Sequence, residues 1–279
     1  MRSVLAVITT LFFAAVALAV TAPERATAGQ DVTIRANGSE VYVVCPGYAS
    51  KHKVEGGSAT ISGDELQTAG RCVVSDGNSS AVMWVAPAPA ARINFLAQPS
   101  RVPVAQSNAI SGTVFVFDKW NNMVITPTPV KFELAVEGAP SITRTVQSNN
   151  GVAFVRTDSS KKEGNANFVA SVGDVNMKRV VRQVAAEPCG GTLRMTAHPE
   201  KNGILVETAP VRDCSGNPVP DGTIVTFTSV DPKGRSTVDA RVKKGVATAM
   251  LPSSDHADIS VASGITVGNE IRWSGGGGK

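Results

Sequence analysis

Apolar and polar positions alternate with a period of two along most of this chain. From Val130 to Val136, residues Val130, Phe132, Leu134 and Val136 fall on one face, the pattern of a half-buried strand. Thr223–Phe227 brings Val225 and Phe227 together in the same way, and Ala257–Val261 does so for Ile259 and Val261. Turn formers punctuate these runs at Asp76-Gly77-Asn78, Asn121-Asn122, Asn149-Asn150-Gly151 and Ser215-Gly216-Asn217-Pro218. Beyond the N-terminal apolar segment no stretch keeps a helical period, because glycine, proline or β-branched residues interrupt each one. Residues 29–95 show five short strand patterns: Val32–Ile34, Val41–Cys45, Ala59–Ile61, Cys72–Val74 and Ala81–Val85. Trp84 and Trp273 fall on strand patterns and are expected in the core. The pattern predicts an all-β chain of antiparallel sandwiches.

An internal repeat organises the C-terminal two thirds. Asp118 is followed at offsets 4, 6, 12 and 14 by Asn122, Val124, Val130 and Phe132, and Asp213 at the same offsets by Asn217, Val219, Val225 and Phe227. Asn150-Gly-Val-Ala153 is answered by Lys244-Gly-Val-Ala247, and Val169-Ala-Ser171 by Val261-Ala-Ser263. The spacings (118 to 213, 150 to 244, 169 to 261) are 95, 94 and 92 residues, the size of a whole sandwich domain. A short acid can cap the turn backbone, Asn or Gly can take the left-handed position, and Val and Phe two apart face one core.

These motifs resemble the bacterial immunoglobulin-like domains of the invasin and intimin type. Asp213-Cys-Ser-Gly-Asn-Pro-Val219 with Gly245-Val-Ala247 is the nearer match; Asp118-Lys-Trp-Asn-Asn-Met-Val124 with Asn150-Gly-Val-Ala153 lacks the Gly-Asn-Pro. The resemblance covers about residues 96–274. It implies two-sheet sandwiches, export and roles at a surface or in adhesion, and it supplies no catalytic residues.

Met1-Arg2, then Ser3–Val20 without a charge, then Ala26-Thr27-Ala28 before Gly29, read as a secretory leader cut after Ala28. Ala17-Leu18-Ala19 is the lesser alternative for the cut. Export places the chain in the periplasm, at the cell surface or outside the cell, with no membrane span after cleavage. It also gives Cys45, Cys72, Cys189 and Cys214 their meaning as disulfides. Four cysteines allow three connectivities; pairing neighbours, Cys45–Cys72 and Cys189–Cys214, closes a short loop inside one domain each and is preferred. The expected division is a leader at 1–28, a small disulfide-linked β domain at 29–91, Ig-like sandwiches at 92–186 and 187–274, and a disordered tail at 275–279.

Composition narrows the chemistry. Charged residues are 18% of 279 and the net charge is +4, while mean hydropathy is +0.03; disorder needs lower hydrophobicity and more charge. The basic residues are scattered, so a nucleic-acid partner is not expected. His52, His198 and His256 sit in separate segments, no Cys-x2-4-Cys occurs, and acids are too sparse for calcium, so no metal or cofactor is expected. No nucleophile motif is present, and the expected protein is not an enzyme. A hydrolase would have to show paired carboxylates or a Ser–His contact converging in a cleft. The reading is an exported spacer or adhesion and binding module whose partner is a protein or a surface glycan, with a carbohydrate-binding accessory module as the alternative. Trp120, beside Lys119 and the Asn121-Asn122 turn, either packs over that turn, where the resembling family commonly carries an aromatic, or serves as the candidate contact residue.

Overall fold

A computed structural model of the protein describes residues 19–275. Most of the expected leader, and the tail beyond Gly275, lie outside that span. Strand is the only regular structure in it, and no helix occurs among the described residues. The chain forms two units: residues up to Arg92 with Phe117–Ile125, and Ile93–Val116 with Thr126 onward.

The first unit holds β1 (Arg25–Thr27), β2 (Val32–Arg35), β3 (Glu40–Cys45), β4 (Tyr48–Lys53), β5 (Ser58–Ile61), β6 (Gly70–Ser75) and β7 (Ser80–Ala86). Five of them make a sheet in the order β1-β7-β6-β3-β4, and β2 pairs with β5. Alternate residues of both sheets, among them Ile34, Ile61, Val41, Val43, Val74 and Val85, share one core. Cys45 is bonded to Cys72 across neighbouring strands.

The domain does not begin at residue 29. β1 pairs in parallel with β7, Ala26 opposite Val85, and Val20 and Ala28 are buried in the same core. This corrects the expected boundary. A three-residue strand is too short to show an alternation, and it lies where a leader pattern was being read.

The second unit contains two sandwiches, which follow the first unit as the second and third sandwiches of the chain. In the first, β8 (Arg92–Gln98), β9 (Arg101–Pro103), β10 (Ile110–Phe117), β11 (Pro129–Val136), β12 (Ile142–Gln147), β13 (Val152–Thr157), β14 (Gly164–Val172) and β15 (Val175–Val184) make sheets ordered β13-β10-β8 and β12-β11-β14-β15-β9. Phe95, Phe132 and Phe168 meet at its centre with ring centroids 5.1 to 6.0 Å apart. In the other, β16 (Met195–Glu200), β17 (Gly203–Thr208), β18 (Ile224–Asp231), β19 (Gly234–Arg241), β20 (Thr248–Leu251), β21 (His256–Ser263) and β22 (Thr266–Ser274) make sheets ordered β16-β17-β20 and β19-β18-β21-β22. Cys189 is bonded to Cys214 there.

The repeated Asp–Asn motif has one geometry at both sites. Oδ1 of Asp213 accepts the N–H groups of Ser215 and Asn217 at 2.8 and 2.9 Å, and Oδ2 accepts that of Ala186 at 3.0 Å. Oδ1 of Asp118 takes those of Trp120 and Asn122, both at 2.9 Å, and Oδ2 that of Ala88 at 3.0 Å. The position three residues on is left-handed in each, Asn121 at φ 69° and Gly216 at φ 86°, as the turn requires.

The asparagine of each motif does a second job. Asn217 donates to the Lys161 carbonyl at 2.7 Å and accepts from the Glu163 N–H at 3.2 Å, so the third sandwich grips a loop of the second. Asn122 holds the Gln67 carbonyl at 2.7 Å and the Ala69 N–H at 2.9 Å in the same pattern.

Candidate functional site

The two faces of the first unit's large sheet are both apolar, and only one is covered. Val41, Val43, Cys72, Val74, Met83 and Val85 point into the core. The residues between them point out: Tyr42, Val44, Val73, Val82 and Trp84 are between 38% and 55% exposed. Strand register makes them one surface. Val44 lies opposite Val73, and Val73 opposite Val82, so a row of branched side chains crosses β3, β6 and β7 and continues to Ala49 on β4. Trp84 flanks this row on one side and Tyr42 on the other.

Charge rings the patch. Trp84 is bracketed by Arg25 on β1 and Arg71 on β6, and Tyr42 sits opposite Lys51, with Lys53 one row on opposite Glu40. The one carboxylate among these, Glu40, is engaged: Lys51 reaches it at 3.0 Å and the Tyr42 hydroxyl donates to it at 3.1 Å. The hydrogen bonds from Lys51 and Tyr42 hold Glu40 below the usual carboxylate range, and the same contact raises Lys51. Four cations and one neutralised acid leave the rim positive.

Three other exposed apolar side chains are set among polar ones. Phe154 stands opposite Thr113, Val180 opposite Asn167, and Val230 opposite Arg235 and Asp258. Single exposed apolar groups are ordinary, whereas a contiguous patch marks an interaction surface.

Trp120 takes the packing role that its turn allowed. It is half-buried, and its ring packs against the core of the first unit over Gly29, where a Cβ would overlap it. Lys119 Nζ lies 4.0 Å above the ring centroid and covers it. Trp84, expected in the core, is exposed. Trp273 is partly buried against the core of the third sandwich, and its indole N–H donates to the Ser254 carbonyl at 3.0 Å.

A Ser–His contact does exist. Ser50 Oγ lies 2.6 Å from Nε2 of His52, and the Glu65 carboxylate lies 3.2 Å from that same nitrogen. A nucleophile relay needs the serine on one ring nitrogen and the orienting acid on the other. Here both compete for Nε2. The Tyr48 hydroxyl also meets Ser50 and Glu65; burial, then the Glu65 carboxylate, raises its pKa and keeps the phenol protonated. This is a hydrogen-bond network joining β4 to the turn after β5. In the second unit a cavity of about 600 Å³ runs beside the linker, lined by Pro103, Val104, Ala186, Pro188 and Pro220, with Glu187 as its one charged side chain. A lone carboxylate makes no acid–base pair. Among the described residues no group of three or more His, Cys, Asp or Glu is placed to hold a metal, and no helix is long and apolar enough to cross a membrane.

The architecture is that of tandem immunoglobulin-like β-sandwiches, the class to which invasin-type adhesins belong. Similar solved structures include the FdeC adhesin of Escherichia coli, at 16% identity and TM-score 0.65 over 92% of this chain and 96% of that one. InvD of Yersinia pseudotuberculosis is similar at 14% identity and TM-score 0.57, over 91% and 96%. Invasin, described as a bacterial integrin-binding protein, gives 16% and 0.51 over 92% of this chain and 60% of its own. At such identities the likeness establishes the fold. No family model and no curated protein matches the sequence.

Proposed function

We propose that the protein is an exported, non-catalytic adhesion or binding module that presents the outer face of its N-terminal sheet to a protein partner. The observation that carries this is the continuous exposed row Val44–Val73–Val82 with Trp84 and Tyr42 beside it. An aromatic and aliphatic centre with a charged rim is the anatomy of a protein–protein interface. The rim of Arg25, Arg71, Lys51 and Lys53 calls for a partner with an acidic border. Branched aliphatics at the centre suit apolar side chains better than the hydroxyls of a sugar, which places a protein ahead of a glycan. The two disulfides fit an oxidising compartment, and the likeness to surface adhesins supports the same setting.

The test is site-specific photo-crosslinking from position 73, with position 180 on the second unit as control. A protein captured only from position 73 is then purified and titrated against Val73→Glu and Trp84→Ala. Each substitution is expected to weaken binding at least about tenfold, since a central interface anchor is worth roughly 2 kcal/mol. Binding unchanged by both, or no crosslink specific to position 73, overturns the reading.

A further inference from the structure

We propose that the leader is removed between Ala19 and Val20, so that the mature chain starts at Val20. The sequence offers two small-x-small sites, Ala17-Leu18-Ala19 and Ala26-Thr27-Ala28, and either satisfies the processing pattern. The fold separates them, because everything from Val20 to Ala28 is built into the first unit.

The segment ties both sheets of that unit together. Thr21 exchanges two backbone hydrogen bonds with Arg35 of β2, at 2.8 and 2.9 Å. Three residues on, the chain has joined the other sheet: Trp84 donates to the Glu24 carbonyl at 2.9 Å, β1 runs along β7, and Ala28 donates to the Ala86 carbonyl at 2.8 Å. Val20 is 3% exposed and Ala28 is 2% exposed in the core. A cut after Ala28 would remove a strand, two core side chains and the link between the sheets. It would also leave β7 as an unpaired edge.

The residue before the proposed cut has no such role, since Ala19 is exposed. A place for the new terminus is already formed. Hydrolysis adds the OH of water to the Ala19 carbonyl carbon and its H to the Val20 nitrogen; the new carboxyl group then gives up its proton and the new amine takes one up, so Val20 starts as an ammonium. That nitrogen lies 2.8 Å from Ser79 Oγ, which donates onward to the Asp76 carboxylate at 3.1 Å. Backbone N–H groups of Ser79 and Asn78 hold Asp76 ionised, so the new positive charge forms one hydrogen bond away from a fixed negative one.

The inference rests on export, and the experiment separates the two. Chain 1–279 is expressed in a bacterial host, and the exported fraction is analysed by intact mass and N-terminal sequencing. Val-Thr-Ala-Pro as the start is the expected result. A start at Gly29 overturns the cleavage site and leaves export standing, whereas Met1 retained in the membrane fraction overturns both. Ala19→Arg, at an exposed position, is expected to leave unprocessed precursor; normal trimming of that variant to Gly29 overturns the inference. Purified chains 20–279 and 29–279 should differ in melting of the first unit by on the order of 10 °C or more. Equal melting overturns the proposed reason for the cut.

Discussion

A chain carrying Asp213→Ala is expected to lose about 3–5 kcal/mol of stability in its third sandwich. Asp213 is 1% exposed, and its two oxygens accept hydrogen bonds from the backbone of Ser215, Asn217 and Ala186 and from the Asn217 side chain. Truncation leaves three part-buried N–H groups without acceptors, and a fully buried one costs roughly 1–3 kcal/mol. It also frees the Asn217 amide that grips Lys161 and Glu163. The effect carries a pH signature. Burial alone would raise the Asp213 pKa, but the hydrogen bonds from Asn217, Ala186 and Ser215 outweigh it and hold the value below the ordinary one. A carboxyl whose folded pKa is depressed contributes stability that is complete above the unfolded value, near 3.9, and is lost as pH falls through the folded value. The gap between wild type and Asp213→Ala should therefore be full at pH 7 and shrink below about pH 4. Urea unfolding at pH 7 and pH 3 measures it; a gap that grows on acidification would contradict the assignment.

Phe168→Ala should cost the second sandwich a similar amount, about 3–5 kcal/mol, the range for deleting a buried aromatic. Its ring meets Phe95 edge-on at 5.1 Å and Phe132 at 6.0 Å. Gly112 on the facing sheet leaves room for it, since a Cβ there would come within 2.9 Å of the Phe168 ring and 3.1 Å of Phe95. With rings from both sheets meeting at one point, the neighbours cannot close the hole without moving a sheet. Phe168→Leu keeps much of the volume and should recover more than half of the loss. Calorimetric scans of the intact chain will show whether the transition that shifts is confined to one domain. A loss below about 1 kcal/mol for Phe168→Ala would mean that the three-ring cluster is not the packing centre.

The repeat was readable because its residues act locally. Asp118 and Asp213 cap turns that begin at the next residue, and Val130, Phe132, Val225 and Phe227 fill the core facing their own strands. The second task of Asn122 and Asn217 was not readable, because the backbone groups they hold lie about fifty-five residues upstream (67 to 122, 161 to 217) and carry no side-chain mark. The exposed sheet face was missed for a different reason. Alternation reports that a strand has two faces, not which one is covered. Val41-Tyr-Val-Val-Cys45 and Ala81-Val-Met-Trp-Val85 barely alternate, and in a domain this small a strand apolar on both sides cannot bury both. That excess was the available signal, and the fold then puts Trp84 on the outside. Trp120 left two readings open from sequence: lysine and two asparagines mark a surface turn, and its aromatic ring takes the packing role, folding inward over Gly29.

The grip of Asn217 on the preceding sandwich reads a carbonyl and an amide N–H two residues apart, and no side chain at all. A junction of that kind is indifferent to what the upstream loop is made of, provided its backbone follows the same path. Domains joined this way can be duplicated, reordered or exchanged in evolution without matching substitutions on the other side of the seam. The asparagine travels with the incoming domain and finds its acceptor and donor in any compatible loop. Such a chain could be lengthened or shortened by whole domains while each sequence changed around the one pair this chain repeats, an acid and an amide four residues apart.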